Sequence, residues 1–550
     1  MKNRILKSAL SGILLSLSWP EIGGLFPLIF VAFIPLLLVE DEVTNNRYRS
    51  GKVYRNAYIA FFVFNLITTW WIWHASPGGA VMAVVFNSAL MAIPFWLFHL
   101  TRRIVGDRQG YVAFVAYMLA FEWLHHRWEL SWPWLSTGNV FANQTWLVQW
   151  YEYTGIAGGT LWVLLINIIL VHVVKLATKN ANVSIPKAKG FSQSFSRYLC
   201  RIKHLPKTFS KQLRLTVVLG AVLLTPVLWS VWLGFNVDVG EDKPTLEVVV
   251  SQPNVDPYMK FDDISSLEQV TKFLEVTREN LTPNTQLIIA PETAIPDQLE
   301  ESALNYSDEA KLIQQFLSDY PNLNLLTGIS SYAFFDAQRS RASRPTNDGK
   351  FYEFYNSALF INKDLRYDIY HKSELVLGVE RLPAAYLLKY VEDWFDLGGT
   401  SGTLGVSDEP KLFYLGDAKI APTICYESIY GETTARFSRK GANILAISTN
   451  DAWWYDTPGY KQLLAYAKLR AIENRKWIAR SANTGISCFI NPKGEITDKT
   501  KWEETTSLKK SVPLIEGQTF YVQYGDYLGR LSLFLGGLLL ILTFARRLKQ

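Results

Sequence analysis

One cysteine lies where a nucleophile could work. Lys419–Cys425 (KIAPTIC) is a short, largely apolar run that ends on Cys425, and the polar, turn-prone residues Tyr426, Glu427 and Ser428 follow directly. A thiol at the end of a buried strand, where the chain bends sharply, is held in one place and open on one side, which suits a nucleophile. Free cysteine is more often a small buried hydrophobe, so Cys425 needs partners from elsewhere in the chain.

Two further stretches carry such partners. Glu292 follows the apolar run Leu287–Ala290 and is bracketed by two prolines, which stiffen the turn. A partly desolvated carboxylate there has a raised pKa and can act as a general base, which would remove the thiol proton and give the attacking thiolate. Lys372 follows His371 in a separate stretch and can bind the oxyanion that forms at an attacked carbonyl.

Strands and helices alternate around these three residues. Apolar and β-branched runs predict strands, while Ser265 and Glu268 form a capping-box pattern at the start of a helix that ends near Asn280. The predicted strands are 245–252, 286–290, 323–330, 351–361, 419–425, 442–449, 477–481 and 486–490, and a second helix is predicted at 459–474. Two sheets with helices outside, or one large mixed sheet, both fit this order.

The remainder of the chain is typical of a membrane protein. Hydrophobic residues make up 49% of the 550 and charged residues only 19%, with 19 Trp and 27 Tyr, which are enriched at membrane interfaces. A membrane span needs about 20 mainly apolar residues, and eight stretches are candidates: 5–19, 24–39, 57–74, 80–101, 110–126, 157–177, 213–235 and 525–545. We therefore predict seven spans in a transmembrane bundle over 1–236, an α/β domain over 243–515, and an eighth transmembrane helix at 525–545.

Positive charges orient these spans. They cluster in every second loop and at both ends of the chain, at 2–7, 47–55, 102–108, 175–214 and 546–549, whereas the loop 75–79 has none and 127–156 has only Arg127. By the positive-inside rule both termini are cytoplasmic and 243–515 lies outside the cytoplasm. Because the basic excess lies in these loops and the formal charge is only +6, we predict no nucleic-acid partner.

Together the motifs resemble a known family. Pro-Glu-Thr-Ala-Ile-Pro around Glu292, His-Lys at Lys372 with Glu380 eight residues later, and Ile-Cys-Tyr-Glu-Ser around Cys425 are similar to the Glu–Lys–Cys signatures of the nitrilase superfamily. Placed between a seventh and an eighth span, they resemble the apolipoprotein N-acyltransferases of Gram-negative bacteria. The resemblance extends over essentially the whole chain.

That resemblance implies an αββα sandwich for 243–515, joined to an α-helical membrane bundle of eight spans. It also implies that Glu292 is the general base, Lys372 the oxyanion stabiliser and Cys425 the nucleophile. Glu380, Tyr426 and Glu427 would be supporting residues, and the candidate substrate or lid residues are Phe261, Trp394, Asn450, Trp453 and Trp454. Two stretches depart from the family pattern: 376–383 replaces a Pro-Phe-Gly-Glu type of segment, and Phe261 replaces a tryptophan.

The implied reaction is a ping-pong acyl transfer. Cys425 would take a fatty acyl chain from a phospholipid, expected to be phosphatidylethanolamine, and pass it to the α-amine of a diacylglyceryl-cysteine at the N-terminus of an apolipoprotein. Both substrates would be anchored in the bacterial inner membrane, where the multi-pass protein would carry its catalytic domain on the periplasmic side. Segment 382–399 and Trp453–Tyr455 are apolar enough to form a lid.

Several alternatives remain open. His371 could serve as the base for Cys425, as in papain-like proteases; the same triad could belong to a membrane-bound amidase; or the domain could be a non-catalytic lipoprotein-binding scaffold. Cys488 is predicted to be strand core, although a disulfide with Cys425 is conceivable in an oxidising periplasm. No metal-ligand spacing or nucleotide signature occurs, so we expect no cofactor and no metal.

Overall fold

The computed structural model describes residues 2–181, 191–261, 263–381 and 403–549, and only the backbone of residues 178–181 and 191–212. Helices dominate the first part of the chain. They are α1 (Lys2–Ser18), α2 (Ile29–Ala32), α3 (Ile34–Asn45), α4 (Gly51–Thr69), α5 (Ile72–Ala75), α6 (Pro77–Val105), α7 (Asp107–His125), α8 (Tyr151–Ala181) and α9 (Phe191–Asn236). Later helices are α10 (Ser266–Arg278), α11 (Asp308–Ser318), α12 (Gly431–Arg439), α13 (Pro458–Asn474), α14 (Phe520–Tyr524) and α15 (Tyr527–Leu548).

Four helices among the described residues are long and apolar enough to cross a membrane. They are Pro77–Val105, Tyr151–Ala177, Leu213–Asn236 and Tyr527–Leu548, and they coincide with four of the eight predicted spans. The other four predicted spans overlap α1, the broken pair α2 and α3, α4 and α7, and as membrane spans they remain predictions. The orientation inferred from the positive charges likewise remains a prediction.

Fourteen strands are present in the described residues, all between 245 and 513. They are β1 (Thr245–Gln252), β2 (Leu287–Ile289), β3 (Ile295–Glu300), β4 (Asn324–Phe335), β5 (Arg344–Pro345), β6 (Phe351–Asn362), β7 (Tyr367–His371), β8 (Phe413–Leu415), β9 (Ala418–Ile424), β10 (Ile444–Thr449), β11 (Trp477–Ala482), β12 (Cys488–Ile490), β13 (Ile496–Lys499) and β14 (Thr506–Pro513). The eight predicted strands are all confirmed, and six strands were not predicted.

The strands form two sheets. One has the order β14-β1-β2-β4-β6-β5, with β3 also paired to β4 and β7 to β6, and the other has the order β13-β12-β11-β10-β9-β8. Helices α10 and α11 pack on the outer face of the first sheet around Val249, Ile288 and Phe316, while α12 and α13 lie beside the second. Of the two arrangements that the sequence allowed, the structure therefore has the two-sheet one.

The parallel strands bring the chemistry to one edge. Strands β1, β2 and β4 run parallel, as do β9, β10 and β11, and the carboxyl ends of parallel strands meet at one edge of a sheet. Glu292 follows β2, Cys425 follows β9 and Lys372 follows β7. At this edge the Ser448 hydroxyl, near the end of β10, donates to the Ala290 carbonyl oxygen after β2 (2.9 Å) and so joins the two sheets.

Helix α13 joins the α/β domain to the N-terminal, mainly helical part of the chain. The Trp134 indole donates to Gln462 Oε1 (2.6 Å), and the Tyr466 hydroxyl donates to the Trp134 carbonyl oxygen (3.0 Å). The Trp19 indole in turn donates to the Tyr466 hydroxyl (3.0 Å). Because α13 also packs against the turn that begins at Cys425, one helix contacts both the N-terminal part of the chain and the turn that carries the proposed nucleophile.

Candidate active site

Cys425 is the first residue of a short 3-10 helix, Cys425–Ile429, at the end of β9. Its φ is +46°, in the left-handed region that side-chain-bearing residues rarely occupy. The Ser428 hydroxyl donates to the Cys425 carbonyl oxygen (2.7 Å) and helps to hold this bend. Strained backbone of this kind clusters at functional sites, and here it turns the thiol away from the line of the strand.

Glu427 fixes the cysteine turn to the segment around Lys372. Its Oε2 accepts a hydrogen bond from the Ile424 amide (2.7 Å), while its Oε1 accepts from the Tyr370 hydroxyl (2.6 Å) and from the Ser373 amide (2.7 Å) and hydroxyl (2.8 Å). Burial raises the pKa of Glu427, and these donors oppose the rise. One carboxylate therefore holds together the segment that ends at Cys425 and the segment around Lys372. This is the kind of contact expected of the supporting residue that the sequence predicts at Glu427.

Lys372 lies between two carboxylates. Its Nζ donates to Glu292 Oε1 and to Glu380 Oε1, both at 2.9 Å, and its side chain is 1% exposed. An ammonium has three donors, so a third N–H remains for another acceptor. The structure therefore brings together Glu292, Lys372 and Glu380, as the sequence predicts.

Asn356, in the middle of β6, completes this cluster and was missed by the sequence analysis. Its Nδ2 donates to Glu292 Oε1 (2.9 Å) and to Glu380 Oε1 (2.8 Å). The main-chain carbonyl oxygen of Asn356 also accepts a hydrogen bond from the main-chain amide of Lys372 (2.9 Å). A single asparagine within a strand gives no sequence signal. A polar residue in the buried strand that pairs with the Lys372 segment would have been the candidate to examine.

Glu292 has a lowered pKa, contrary to the rise expected from the sequence. Burial by itself raises the pKa of Glu292. The Lys372 ammonium and the hydrogen bonds from the Asn356 amide and the Cys425 thiol lower it by more, so the net shift is downward. The expectation was wrong because it counted desolvation and not the cation that lies 2.9 Å away. Glu292 is therefore held as a carboxylate.

Cys425 and Lys372 are held in their protonated forms. Burial and the Glu292 carboxylate raise the pKa of the Cys425 thiol, and Lys372 and Thr449 only partly offset this rise. Burial lowers the pKa of Lys372, but Glu292 and Glu380 outweigh it and raise the pKa above its ordinary value. The resting site is thus a thiol, a carboxylate and an ammonium, so that a proton can pass from Cys425 to Glu292 as the sulfur attacks.

The remaining predicted residues that the structure describes make aromatic contacts or, for Asn450, an amide hydrogen bond. Phe261 stacks on Trp453 with ring centroids 6.5 Å apart, whereas the Trp454 ring packs against those of Trp71 (5.0 Å) and Trp134 (5.7 Å) in the N-terminal part of the chain. Tyr426 contacts Tyr430 edge to face at 5.4 Å, and Asn450 Oδ1 accepts from the Asn483 amide at 3.3 Å. Trp394 and the proposed lid segment 382–399 lie outside the described residues.

His371 does not face the cysteine. Its Nε2 lies 2.7 Å from Glu301 Oε1, and its ring stacks on Tyr355 with centroids 3.7 Å apart. Successive side chains of a strand point to opposite faces, so His371 points away from the site into which Lys372 points. Cys425 and Cys488 are both free thiols.

Comparisons with known proteins agree with these motifs. A family model described as the apolipoprotein N-acyltransferase N-terminal domain matches residues 11–169, and one described as carbon-nitrogen hydrolase matches residues 250–516. An apolipoprotein N-acyltransferase of Chlorobaculum tepidum is 27% identical over 98% of this chain and 96% of its own length. One of Geobacter metallireducens is 27% identical over 95% of this chain and 91% of its own length.

Among solved structures, an amidase from Nesterenkonia sp. covers 53% of this chain and 98% of its own, with 13% identity and a TM-score of 0.36. At that TM-score the likeness carries no weight of its own. The two family models together cover most of the chain, and the two relatives match it almost end to end. The chain belongs to the apolipoprotein N-acyltransferase family: residues 11–169 match that family's N-terminal domain, and a carbon–nitrogen hydrolase domain follows at residues 250–516.

Proposed function

We propose that this protein transfers a fatty acyl chain from a phospholipid to the N-terminal amine of a diacylated apolipoprotein, through a thioester on Cys425. The observation that carries the proposal is the buried cluster in which Lys372 Nζ lies 2.9 Å from Glu292 and Glu292 in turn interacts with the Cys425 thiol. It supplies a nucleophile, a base and a cation for the oxyanion.

In the first half-reaction Cys425 Sγ attacks the ester carbonyl carbon of the phospholipid. The thiol proton passes to Glu292, and the third N–H of Lys372 donates to the oxyanion of the tetrahedral intermediate. When the intermediate collapses, the lysophospholipid alkoxide leaves and takes the proton from Glu292. The acyl chain then remains on Cys425 as a thioester.

In the second half-reaction the α-amine of the apolipoprotein attacks the thioester carbonyl. Glu292 takes a proton from the nitrogen, and Lys372 again binds the oxyanion. The Cys425 sulfur then leaves and takes this proton from Glu292. An N-acyl amide forms and the free enzyme returns. Water must be excluded from the thioester until the amine arrives, and we assign this role to the aromatic residues Trp453 and Trp454.

The membrane setting follows from the substrates and the helices. Both acyl donor and acceptor are anchored in a bilayer, and four described helices are long and apolar enough to cross one. We place the protein in the bacterial inner membrane with eight spans, both termini cytoplasmic and 243–515 periplasmic, and phosphatidylethanolamine as the donor. The variant Tyr306→Cys tests this orientation, because Tyr306 is exposed. A membrane-impermeant maleimide should label the new thiol in spheroplasts but not in inverted vesicles.

Intact-protein mass spectrometry tests the thioester. The protein in nanodiscs of phosphatidylethanolamine should gain the mass of one fatty acyl chain at Cys425, and the adduct should disappear when a diacylglyceryl-cysteinyl peptide with a free amine is added. The same peptide with an acetylated amine is the matched control and should leave the adduct in place. An acyl adduct at another residue, or its loss with both peptides, would overturn the proposal.

The alternatives make opposite predictions. A His371 base requires His371→Ala to abolish the adduct and Glu292→Gln to leave it, whereas we expect the reverse because His371 bonds Glu301. A membrane amidase would hydrolyse a small amide and form no fatty acyl adduct. A non-catalytic scaffold would tolerate Cys425→Ser, which we expect to abolish lipoprotein maturation in a complementation test.

A further inference from the structure

Lys260 is a second buried lysine at the active site, on the loop between β1 and α10. Its side chain donates from Nζ to the Glu292 carbonyl oxygen (2.9 Å) and to Thr293 Oγ1 (2.8 Å), and the residue is 1% exposed. The Gln269 amide donates to the Lys260 carbonyl oxygen (2.6 Å) and ties the lysine to α10. Burying a lysine is costly unless its donors are satisfied, and here the acceptors belong to the turn that carries the proposed base.

This turn needs support because its backbone is strained. Thr293 has φ +47°, a conformation that β-branched residues rarely adopt and that costs about 1–3 kcal/mol. The Gly328 amide donates to the Pro291 carbonyl oxygen (3.0 Å) and the Ser448 hydroxyl to that of Ala290 (2.9 Å), so the approach to the turn is fixed. Lys260 then fixes the two residues at its apex.

Lys260 also brings charge to the base. Burial lowers the pKa of Lys260 to about 7, while the Glu292 carboxylate opposes this fall, so the two groups interact electrostatically. Its neighbour Phe261 stacks on Trp453. The Lys260 loop therefore contacts both the Trp453 ring and the Glu292 turn.

We propose that Lys260 is a positioning residue for Glu292: by bonding the main chain of Glu292 and the hydroxyl of Thr293, it holds the base within reach of the Cys425 thiol. The inference rests on the proposed function only in taking Glu292 as the base for Cys425. Lys260 itself does not touch the reacting atoms.

The rate at which Cys425 is alkylated by iodoacetamide tests this, because alkylation requires loss of the thiol proton and no lipid substrate. The full-length protein in nanodiscs is used, and Cys425→Ser gives the background from other thiols. Lys260→Met should slow alkylation about 100-fold, the loss typical of a base displaced by about 1 Å, and should lower kcat for acyl transfer while leaving KM unchanged. Lys272→Met is the matched control, since Lys272 also donates to a main-chain carbonyl, that of Asn254 (3.1 Å), away from the Glu292 turn.

A Lys260→Met protein that folds and is alkylated at the wild-type rate would overturn the inference. If that variant does not fold, Thr293→Val decides in its place, because it removes one acceptor of Lys260 and keeps the shape of the side chain; a several-fold slower alkylation supports the inference and an unchanged rate overturns it. Failure of the proposed function would look different: no fatty acyl adduct would form on the wild-type Cys425, whatever the alkylation rates.

Discussion

Asn356 and Lys372 share both of their carboxylate partners. Each donates to Glu292 Oε1 and to Glu380 Oε1, over distances of 2.8 to 2.9 Å, and the Lys372 amide bonds the Asn356 carbonyl oxygen. Two negative charges are thereby held around one cation, with a neutral amide as the second bridge. The side-chain oxygen Oδ1 of Asn356 is buried without a hydrogen-bond partner, so the Asn356 side chain contributes to the cluster through its two donated hydrogen bonds.

Replacing Asn356 should therefore impair catalysis more than folding. In Asn356→Leu each carboxylate loses one donor, and because a hydrogen bond to a charged group contributes about 1.5–3 kcal/mol, we expect kcat to fall about 10- to 100-fold. Rates of acyl-Cys425 formation measure this. Asn280→Leu is the control, since Asn280 bonds Ser507 at a distant edge; equal losses in both variants would contradict the bridging role.

Glu427 should matter for stability as well as activity. Glu427→Ala leaves the Ile424 amide, the Tyr370 hydroxyl and the Ser373 donors without their acceptor, at a cost of at least about 3 kcal/mol. We expect Tm to fall by about 5–10 °C, together with slower alkylation of Cys425. Glu516→Gln breaks only an exposed ion pair with Lys419 and should leave Tm unchanged; a similar Tm for Glu427→Ala would contradict the assignment.

The two half-reactions should differ in pH dependence. Because the pKa of Glu292 lies below its ordinary value of 4.5 and that of Cys425 above its ordinary value of 9.0, the carboxylate and the thiol coexist across the neutral range. The rate of acyl-Cys425 formation should be flat there and fall only when acid protonates Glu292. Acyl transfer to the peptide should instead rise through the pKa of its α-amine, about 8. Stopped-time mass spectrometry separates the two rates. Because the pKa of Lys260 is lowered to about 7, a neutral-pH inflection in the first rate would implicate a histidine base only if it persists in Lys260→Met.

Cys488 should be dispensable. It is free and fully buried in β12, so Cys488→Ala loses only packing, at a cost of about 1–2 kcal/mol, and keeps acyl transfer with or without reductant. Thiol counting on the denatured protein should give three free thiols. A count of one would show that two of the three cysteines form a disulfide, and loss of activity in Cys488→Ala would contradict the prediction.

The positions of the candidate catalytic residues could be predicted because strand ends are visible in sequence. Apolar runs that stop at Glu292 and Cys425 mark the places where buried strands end in turns, and parallel strands bring those ends together. Ser265 likewise marked the start of α10, where its side chain accepts from the Glu268 amide. Short local patterns were enough for these elements.

Asn356 and Lys260 could not be predicted, since each acts through contacts with residues distant in sequence. Asn356 sits inside a regular strand, 64 residues from Glu292, and Lys260 in a polar loop, where a solvated lysine is expected. The direction of the Glu292 pKa shift was missed for the same reason: it depends on a distance to Lys372 that only the fold sets. Strands such as β7 and β8 are defined by their pairing with β6 and β9, which the local sequence does not show.

The left-handed backbone at Thr293 and Cys425 has a consequence for how such chains diverge. Both positions bear a conformational penalty that glycine or asparagine would relieve. A descendant released from the need for catalysis would gain stability by exchanging Cys425, whereas glycine at 293 would also remove the hydroxyl that accepts from the buried Lys260 Nζ. Loss of the cysteine beside a retained Thr293 would therefore be an early mark of a lineage that is losing its activity.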